Sequence, residues 1–168
     1  MILNAHIRGQ YYHAESWPEK AELIADVMEN LRFERADAPW VSAGECAEFS
    51  FANQRRTEAS DWWPDNHLQI SVNSATGFGG LVWFVMRDDA PEGDISEHIW
   101  ISDNPNPPDF DPRVVADPGI PHFFDPRSAI PTEDVRAALE EFCRKSTGDR
   151  PECIQWVHGD MDGQRNEG

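Results

Sequence analysis

A proline-dense stretch in the second half of the chain limits what the chain can fold into. Residues 100–131, WISDNPNPPDFDPRVVADPGIPHFFDPRSAIP, contain eight of the thirteen prolines, five aspartates and only two arginines. Each proline removes a backbone N–H donor and fixes φ, so this density excludes a helix or an interior strand. Three phenylalanines in the same stretch argue against disorder. We therefore predict a long, rigid, acidic loop, and loops of that length inside a compact domain are usually functional.

Hydrophobic periodicity predicts one helix and several strands before this loop. The first twelve residues, MILNAHIRGQYY, favour a single strand. Ser16 followed by Pro18 and Glu19 is typical of a helix N-terminus, and the spacing of apolar residues continues that helix to about Glu34. Further strands are predicted at CAEFSFA, on both sides of the SATGFG turn in a hairpin over residues 66–86, and at EHIWISD.

After the loop, the sequence predicts a second helix, a last strand and a tail. Thr132 is the expected N-cap of a helix with acidic residues in its first turn, basic residues in its last turn and Gly148 beyond its end. ECIQWV favours a strand, and residues 158–168 are expected to form a frayed polar tail. This order predicts one α+β domain over residues 1–168, with a mostly antiparallel sheet, two main helices on one side and the Pro/Asp-rich loop.

Charge and composition narrow the class of partner. The chain has 14 Lys and Arg against 31 Asp and Glu, a formal charge of −17, which argues against direct binding of nucleic acid or anionic membranes. It favours a basic partner, or no partner. There is no transmembrane-length apolar run and no apolar core of a signal peptide near the N-terminus. The dispersed cysteines, Cys46, Cys143 and Cys153, favour buried free thiols, so we expect a cytoplasmic protein.

Motifs for catalysis, metals or cofactors are weak in this sequence. GFGG at residues 77–80 joins two predicted strands, which favours a turn over a phosphate-binding loop. The six histidines have no metal-ligand spacing, and His122 is the one histidine in the carboxylate-rich loop. Cys143 lies on the apolar face of the second helix, and no GxSxG motif is present. We therefore expect no catalytic residue, no metal and no cofactor.

Four segments resemble the C-terminal part of a family of bacterial immunity proteins, the first of the numbered Imm series. They are TGFGGLVWF, ISDNPNPPDFDPRVVADPG, PHFFDPRSAIP and VRAALEEFCRKSTGDRPECIQWV, and the resemblance covers about residues 66–165. Genes of this family commonly neighbour polymorphic toxins, notably double-stranded-DNA cytosine deaminases. The resemblance implies neutralisation of a cognate toxin by direct binding. Residues 1–65 are expected to contribute specificity for one toxin.

Acidic and aromatic residues of the loop, together with Trp62 and Trp63, are the candidates for toxin contact. A toxin that acts on DNA needs a basic cleft, which an acidic inhibitor complements. A rigid loop lowers the entropic cost of association, and aromatic side chains are typical anchors. The toxin-binding hypothesis therefore names Trp62, Trp63, Asp103, Asn104, Asp109, Phe110, Asp111 and Asp117. For Trp62 and Trp63 the alternative is partial burial beneath the hairpin, whereas Trp83, Trp100 and Trp156 are expected in the core.

Two other functions stay open at this point. An enzyme that reverses a toxin's modification would need a convergent polar pocket, which the sequence does not predict. A DNA mimic or general interaction protein would bind many basic partners with strong salt dependence.

Overall fold

The fold is an antiparallel sheet with two helices on one of its faces, as the sequence predicts. The computed structural model describes residues 1–35, 37–38, 40–86 and 98–166. Within these residues the helices are α1 (Trp17–Asn30) and α2 (Thr132–Lys145). The strands are β1 (Ile2–Ile7), β2 (Gln10–Ala14), β3 (Ala47–Ala52), β4 (Asn66–Asn73), β5 (Phe78–Val85), β6 (Ile99–Asp103), β7 (Val115–Asp117), β8 (His122–Phe123), β9 (Ile130–Pro131) and β10 (Gln155–His158).

The longest strands of the sheet, β4 and β5, lie near its centre. Among the described residues it runs β10-β6-β5-β4-β3-β1-β2, with β9 added to β5, and every pairing in it is antiparallel. The predicted hairpin is confirmed as β4 and β5, which pair from Asn66–Val85 to Asn73–Phe78. The predicted strand at EHIWISD is confirmed as β6, except that Glu97 lies outside the described residues.

The N-terminal strand prediction is wrong in one respect, because residues 1–14 form a hairpin of two strands. Arg8 and Gly9 both have positive φ, 51° and 75°. Two consecutive residues with positive φ make the tight turn whose twist matches a hairpin, so β2 folds back onto β1 from Gln10 to Ala14.

Helix α1 starts as predicted and ends four residues earlier. The Ser16 side chain accepts the backbone N–H of Glu19, and the Glu19 carboxylate accepts the backbone N–H of Ser16 at 3.1 Å, a complete capping box. The helix ends at Asn30 because the following residues pair elsewhere. Arg32 N–H donates to the Glu45 carboxylate at 2.8 Å, and the Glu45 N–H donates to the Arg32 carbonyl.

Helix α2 has the predicted charges at its ends but a different N-cap. Thr132 is already helical and the N-cap is Pro131, which has no side-chain donor or acceptor and which also pairs with Phe78 through β9. Glu133 and Asp134 in the first turn supply the negative charge that favours this helix end. At the other end Ser146, with φ 56°, donates its N–H to the Phe142 carbonyl.

The main core lies between the helices and one face of the sheet. Alternate residues of β1, β3, β4 and β5 pack against α1 and α2. The strands contribute Phe49, Phe51, Leu68, Ile70 and Leu81, and the helices contribute Ile24, Leu139 and Phe142. Trp83 is buried there, while Trp100 and Trp156 are half-buried against the same cluster. Cys143 is buried as predicted, but Cys46 is only half-buried and Cys153 is exposed, so the prediction of buried thiols is wrong for Cys153.

The proline-dense stretch contains short strands where the sequence predicts a long loop without a helix or an interior strand. Strands β7 and β8 pair with each other, and a 3-10 helix at Pro126–Ser128 precedes β9. They are possible because the prolines lie outside β7 and β8, with Pro118 and Pro121 in the turn between them. The segment covers half of the sheet's second face, where buried side chains form a second core: Val82, Ile99, Ile101, Val114, Ala116, Phe124 and Ala129.

The C-terminal residues are folded back, so the prediction of a frayed tail is wrong through Asn166. Gly159 bridges Arg165, and the Asp160 N–H donates to the Gln164 carbonyl at 2.9 Å. The Arg165 guanidinium lies 3.0 Å from the Asp103 carboxylate and donates to Ser128 Oγ. Through Arg165, the tail therefore contacts both the proline-dense segment and the end of β6.

Candidate functional site

An open groove lies on the sheet face that the helices do not cover. The proline-dense segment covers part of this face, and the loop before β4 covers another part, where Gln54 and Arg56 bond to Asn4 of β1 and His13 of β2. Between them two adjoining cavities, of about 240 and 520 Å³, share Gln69 and Met161. We call them together the groove. It is lined by Glu48, Trp63, His67, Gln69, Val82, Phe84, Met86, Ala116, Asp117, Pro118, Asp160, Met161 and Asp162.

The floor of the groove carries a close pair of titratable side chains. Glu48 on β3 and His67 on β4 point away from the helices, because neighbouring positions on these strands are in the main core. His67 Nδ1 and Glu48 Oε1 are 2.5 Å apart. Burial opposes ionisation of Glu48, but the hydrogen bond from His67 and the nearby charges of His67 and Arg56 outweigh it and hold the pKa of this carboxyl below its ordinary value. Glu48 is therefore a carboxylate at neutral pH.

One wall of the groove is Trp63, which is exposed and yet held in place. The buried Arg56 guanidinium lies 3.8 Å from the Trp63 ring centroid and 5.3 Å from that of Tyr11. Arg56 is itself fixed to the sheet, since its N–H donates to Asn4 Oδ1 and its carbonyl lies 2.7 Å from His13 Nε2. Trp63 remains 72% exposed. The arrangement gives a preoriented aromatic surface supported from below by a cation.

The opposite wall is acidic and comes from two separate segments. Asp117 ends β7, and its carboxylate accepts the Gly119 N–H at 3.0 Å. Asp160, Met161 and Asp162 form the tail turn, in which Asp162 accepts the Gln164 N–H at 3.1 Å. Three carboxylates thus line the groove beside the exposed Met161. This half of the groove suits a positively charged group.

The structure distributes the predicted toxin-binding residues over several places. Trp63 and Asp117 line the groove on opposite sides. Trp62 is half-buried and lines a neighbouring cavity of about 360 Å³ together with Trp63. Trp62 is thus partly covered and Trp63 is exposed, and toxin contact by either of them stays a prediction.

Two of the predicted contact residues serve the fold. Asn104 is buried, donates to the Ala129 carbonyl at 2.8 Å and accepts the Asn106 N–H. Asp103 is paired with Arg165. The Asn104 side chain is therefore not available to a partner in this conformation, and Asp103 would have to exchange an existing ion pair.

The remaining predicted residues lie toward the other end of β5. Phe110 packs edge-on against Phe78 with ring centroids 5.8 Å apart, whereas the groove is at Phe84. Six residues of strand separate these positions by roughly 20 Å. Asp109 and Asp111 are exposed, and Asp111 lies near Arg113. These three residues form a second acidic and aromatic surface, separate from the groove. His122, the histidine of the loop, is half-buried with Nδ1 3.9 Å from Asp162.

Several groove residues were not identified from the sequence. Glu48 and His67 could have been placed on the outward face by the period-two alternation of their strands, but nothing local indicates that they meet. Met86 follows β5. Met161 lies in the tail, for which the sequence predicted a frayed structure. Asp160 and Asp162 belong to the same tail turn. Only the folded chain brings them beside Trp63.

The structure of the described residues bears on metal binding, membrane insertion and thiol reactivity. Within them, no group of three or more His, Cys, Asp or Glu side chains is arranged to hold a metal ion. Of the helices in the described ranges, none is long and apolar enough to cross a membrane. Burial raises the pKa of Cys46 and of Cys143 to about 12, which leaves both thiols protonated at neutral pH.

Comparison with known proteins gives one match. Residues 12–158 match the family described as Immunity protein Imm1, and this range includes the last three residues of β2, all of α1 and β3, and the four segments whose resemblance the sequence indicates. No curated protein and no solved structure matches the chain.

Proposed function

We propose that this chain, which belongs to the Imm1 family of immunity proteins, protects its host by binding a cognate toxin directly and blocking the toxin's substrate site. Membership of the family makes the chain an immunity protein and its partner a toxin. The observation that best supports direct binding is the groove, because it combines exposed apolar side chains with an acidic wall on a sheet face without helices.

The charge of the chain favours a toxin that acts on DNA, and we propose a deaminase of double-stranded DNA. Phosphate neutralisation dominates DNA affinity, so the substrate path of such a toxin is basic. A chain with a formal charge of −17 is attracted to that path, and its carboxylates can occupy positions otherwise taken by phosphates. Suppression of a toxin in the cell calls for nanomolar or tighter affinity, about −12 kcal/mol or more favourable.

Stoichiometric binding rather than catalysis is the second part of the proposal. The apolar cavity of about 240 Å³ is smaller than the roughly 300–1,000 Å³ of typical small-molecule sites, whereas the adjoining acidic cavity of about 520 Å³ falls within that range. Glu48 and His67 are the acid/base pair within the apolar cavity, and no cysteine or serine of the described chain lines either cavity of the groove. A shallow apolar site of this kind suits a partner's side chain better than a reacting substrate.

A titration of toxin activity with purified protein tests this function. Inhibition is expected to saturate near a fixed molar ratio, and His122→Ala is expected to protect as well as the wild type. Full protection at about one copy per hundred toxin molecules would show turnover and would replace binding with an enzymatic mechanism.

A further inference from the structure

We propose that the groove docks a basic segment of the toxin that presents one bulky apolar side chain, and that this side chain enters the cavity between Trp63 and Met161. The proposal rests on the proposed function, since it assumes that the partner is a toxin that binds directly. It goes further by assigning one face of the chain and the chemistry of the segment that this face accepts.

The apolar part of the groove indicates an apolar anchor. Trp63, Met86 and Met161 are 72%, 62% and 43% exposed, although all three line the same cavity. Single exposed apolar residues are common, whereas a cluster of them around a concave surface is typical of an interaction site. Val82 and Phe84 continue the apolar surface to the bottom of the cavity. Its volume of about 240 Å³ suits one leucine, methionine or aromatic side chain.

The methionines add adaptability to this surface. Methionine is unbranched and polarisable, so it fits side chains of different shape, and it makes favourable contacts with aromatic rings. Met86 follows β5 and Met161 lies in the tail turn, so the cavity is bordered by flexible side chains on two sides and by the fixed Trp63 on a third. An aromatic or long aliphatic anchor is therefore accepted with little rearrangement of the backbone.

The acidic part of the groove indicates basic residues beside that anchor. Asp117, Asp160 and Asp162 line the larger cavity, and Glu48 adds a carboxylate at the floor. None of the described residues that line the two cavities is a lysine or an arginine. Arg56, a cation of the described chain, is buried beneath Trp63. Lysine or arginine next to the anchor would meet these carboxylates without competition from a described lysine or arginine of the cavity lining.

The groove is also preorganised, which favours tight binding. Arg56 holds Trp63 from below, and hydrogen bonds within the tail turn hold Asp160 and Asp162. Groups that are ordered before binding lose less conformational entropy when the partner arrives. Trp63 is therefore expected to be the main anchor on this chain, since rigid aromatic residues at the centre of an interface contribute most of its affinity.

Affinity for the cognate toxin, in a catalytically inactive form, tests the apolar anchor. Trp63→Ala is expected to weaken binding about 30-fold, mainly through faster dissociation, because hot-spot truncations have effects of this size. Trp40→Ala is the matched control, since Trp40 is 81% exposed and does not line the groove. It is expected to change affinity by less than about twofold. Thermal unfolding of Trp40→Ala should match the wild type, and Trp63→Ala, which loses the contact with Arg56, should unfold at a lower temperature but remain folded under the binding conditions.

The basic flank is tested with a pair of double variants that remove the same charge. Asp160→Asn with Asp162→Asn is expected to slow association several-fold at low salt, with the difference disappearing as salt is raised. Glu22→Gln with Glu29→Gln changes two exposed carboxylates of α1, on the other face of the sheet, and is expected to have a much smaller effect. Equal effects of the two double variants would overturn the basic flank.

The outcomes separate this proposal from the proposed function. If the wild type does not bind the toxin at all, direct binding itself is wrong. If the wild type binds and Trp63→Ala weakens binding by less than tenfold, the toxin docks elsewhere and the groove proposal is wrong while the immunity function stands. A loss of tenfold or more for Trp63→Ala but not for Trp40→Ala supports the groove.

Discussion

Glu48 and Arg56 are charged side chains on a sheet face where a charge is costly unless it is paired. Glu48 has His67 as a hydrogen-bonding partner, and Arg56 lies between the rings of Trp63 and Tyr11. Each charge thus has a partner that also shapes the groove. Glu48 and Arg56 raise the free-energy cost of burying this face, but they also define its binding surface. Arg56 fixes the position of Trp63, and Glu48 places a carboxylate at the floor of the groove.

The depressed pKa of Glu48 predicts a contribution to stability that depends on pH. Burial raises this pKa, but His67, Arg56 and His6 lower it by more. A carboxyl whose pKa is lower in the folded state stabilises the fold above its unfolded pKa, and this stabilisation is lost as the pH falls below about 4.3. We expect the unfolding free energy of the wild type to fall more between pH 6 and pH 3 than that of Glu48→Gln.

Urea denaturation of both proteins across that pH range measures the difference. Other carboxyls with depressed pKa values, such as Asp125 and Glu141, titrate in both proteins and cancel in the comparison. Identical pH profiles for the wild type and Glu48→Gln would contradict the assigned pairing.

At the scale of elements, local sequence patterns determine some helix and strand boundaries, and long-range contacts determine others. The start of α1 and the β4–β5 hairpin were predictable, because a capping box and a period-two alternation are local patterns. The end of α1 was not, because residues 32–33 pair with residues 44–45 instead of continuing the helix. The folded tail was not predictable either, since polar residues 158–166 are held by contacts with β6 and the proline-dense segment.

The tail is expected to contribute to stability through Arg165. Its side chain is 9% exposed, lies 3.0 Å from Asp103 and donates to Ser128 Oγ and to the Arg127 carbonyl. Arg165→Ala should lower the unfolding free energy by about 1.5–3 kcal/mol, the range for hydrogen bonds that involve a charged group. Arg35→Ala is the control, because the Arg35–Asp37 pair is exposed on both sides and should contribute about 0–1 kcal/mol.

Urea denaturation of the two variants at neutral pH makes this comparison. If Arg165→Ala and Arg35→Ala have the same effect, the tail is not an integral part of the fold. Because Met161 and Asp160 lie in that tail, such a result would also remove the acidic wall of the groove as a fixed structure.

At the scale of the whole molecule, the site depends on the fold more than on any local motif. The sequence named Trp63 and Asp117 as separate candidates, and the charge of −17 favoured a basic partner or none. It did not place them on one surface, because Trp63 precedes β4, Asp117 ends β7 and Met161 follows β10. Sheet order and the returning tail bring them together. The predicted loop residues Asp109, Phe110 and Asp111 form a separate surface near Phe78.

Occlusion of the toxin's substrate path is the central claim, and competition with DNA tests it most directly. A catalytically inactive toxin that still binds DNA is first saturated with a labelled duplex, and the chain is then added while DNA release is followed by fluorescence anisotropy. We expect complete release of the duplex at about one chain per toxin molecule, with association of chain and toxin slowed by salt far more than their dissociation is accelerated. A stable ternary complex of toxin, DNA and this protein would contradict occlusion and would indicate that the toxin is inhibited through its conformation.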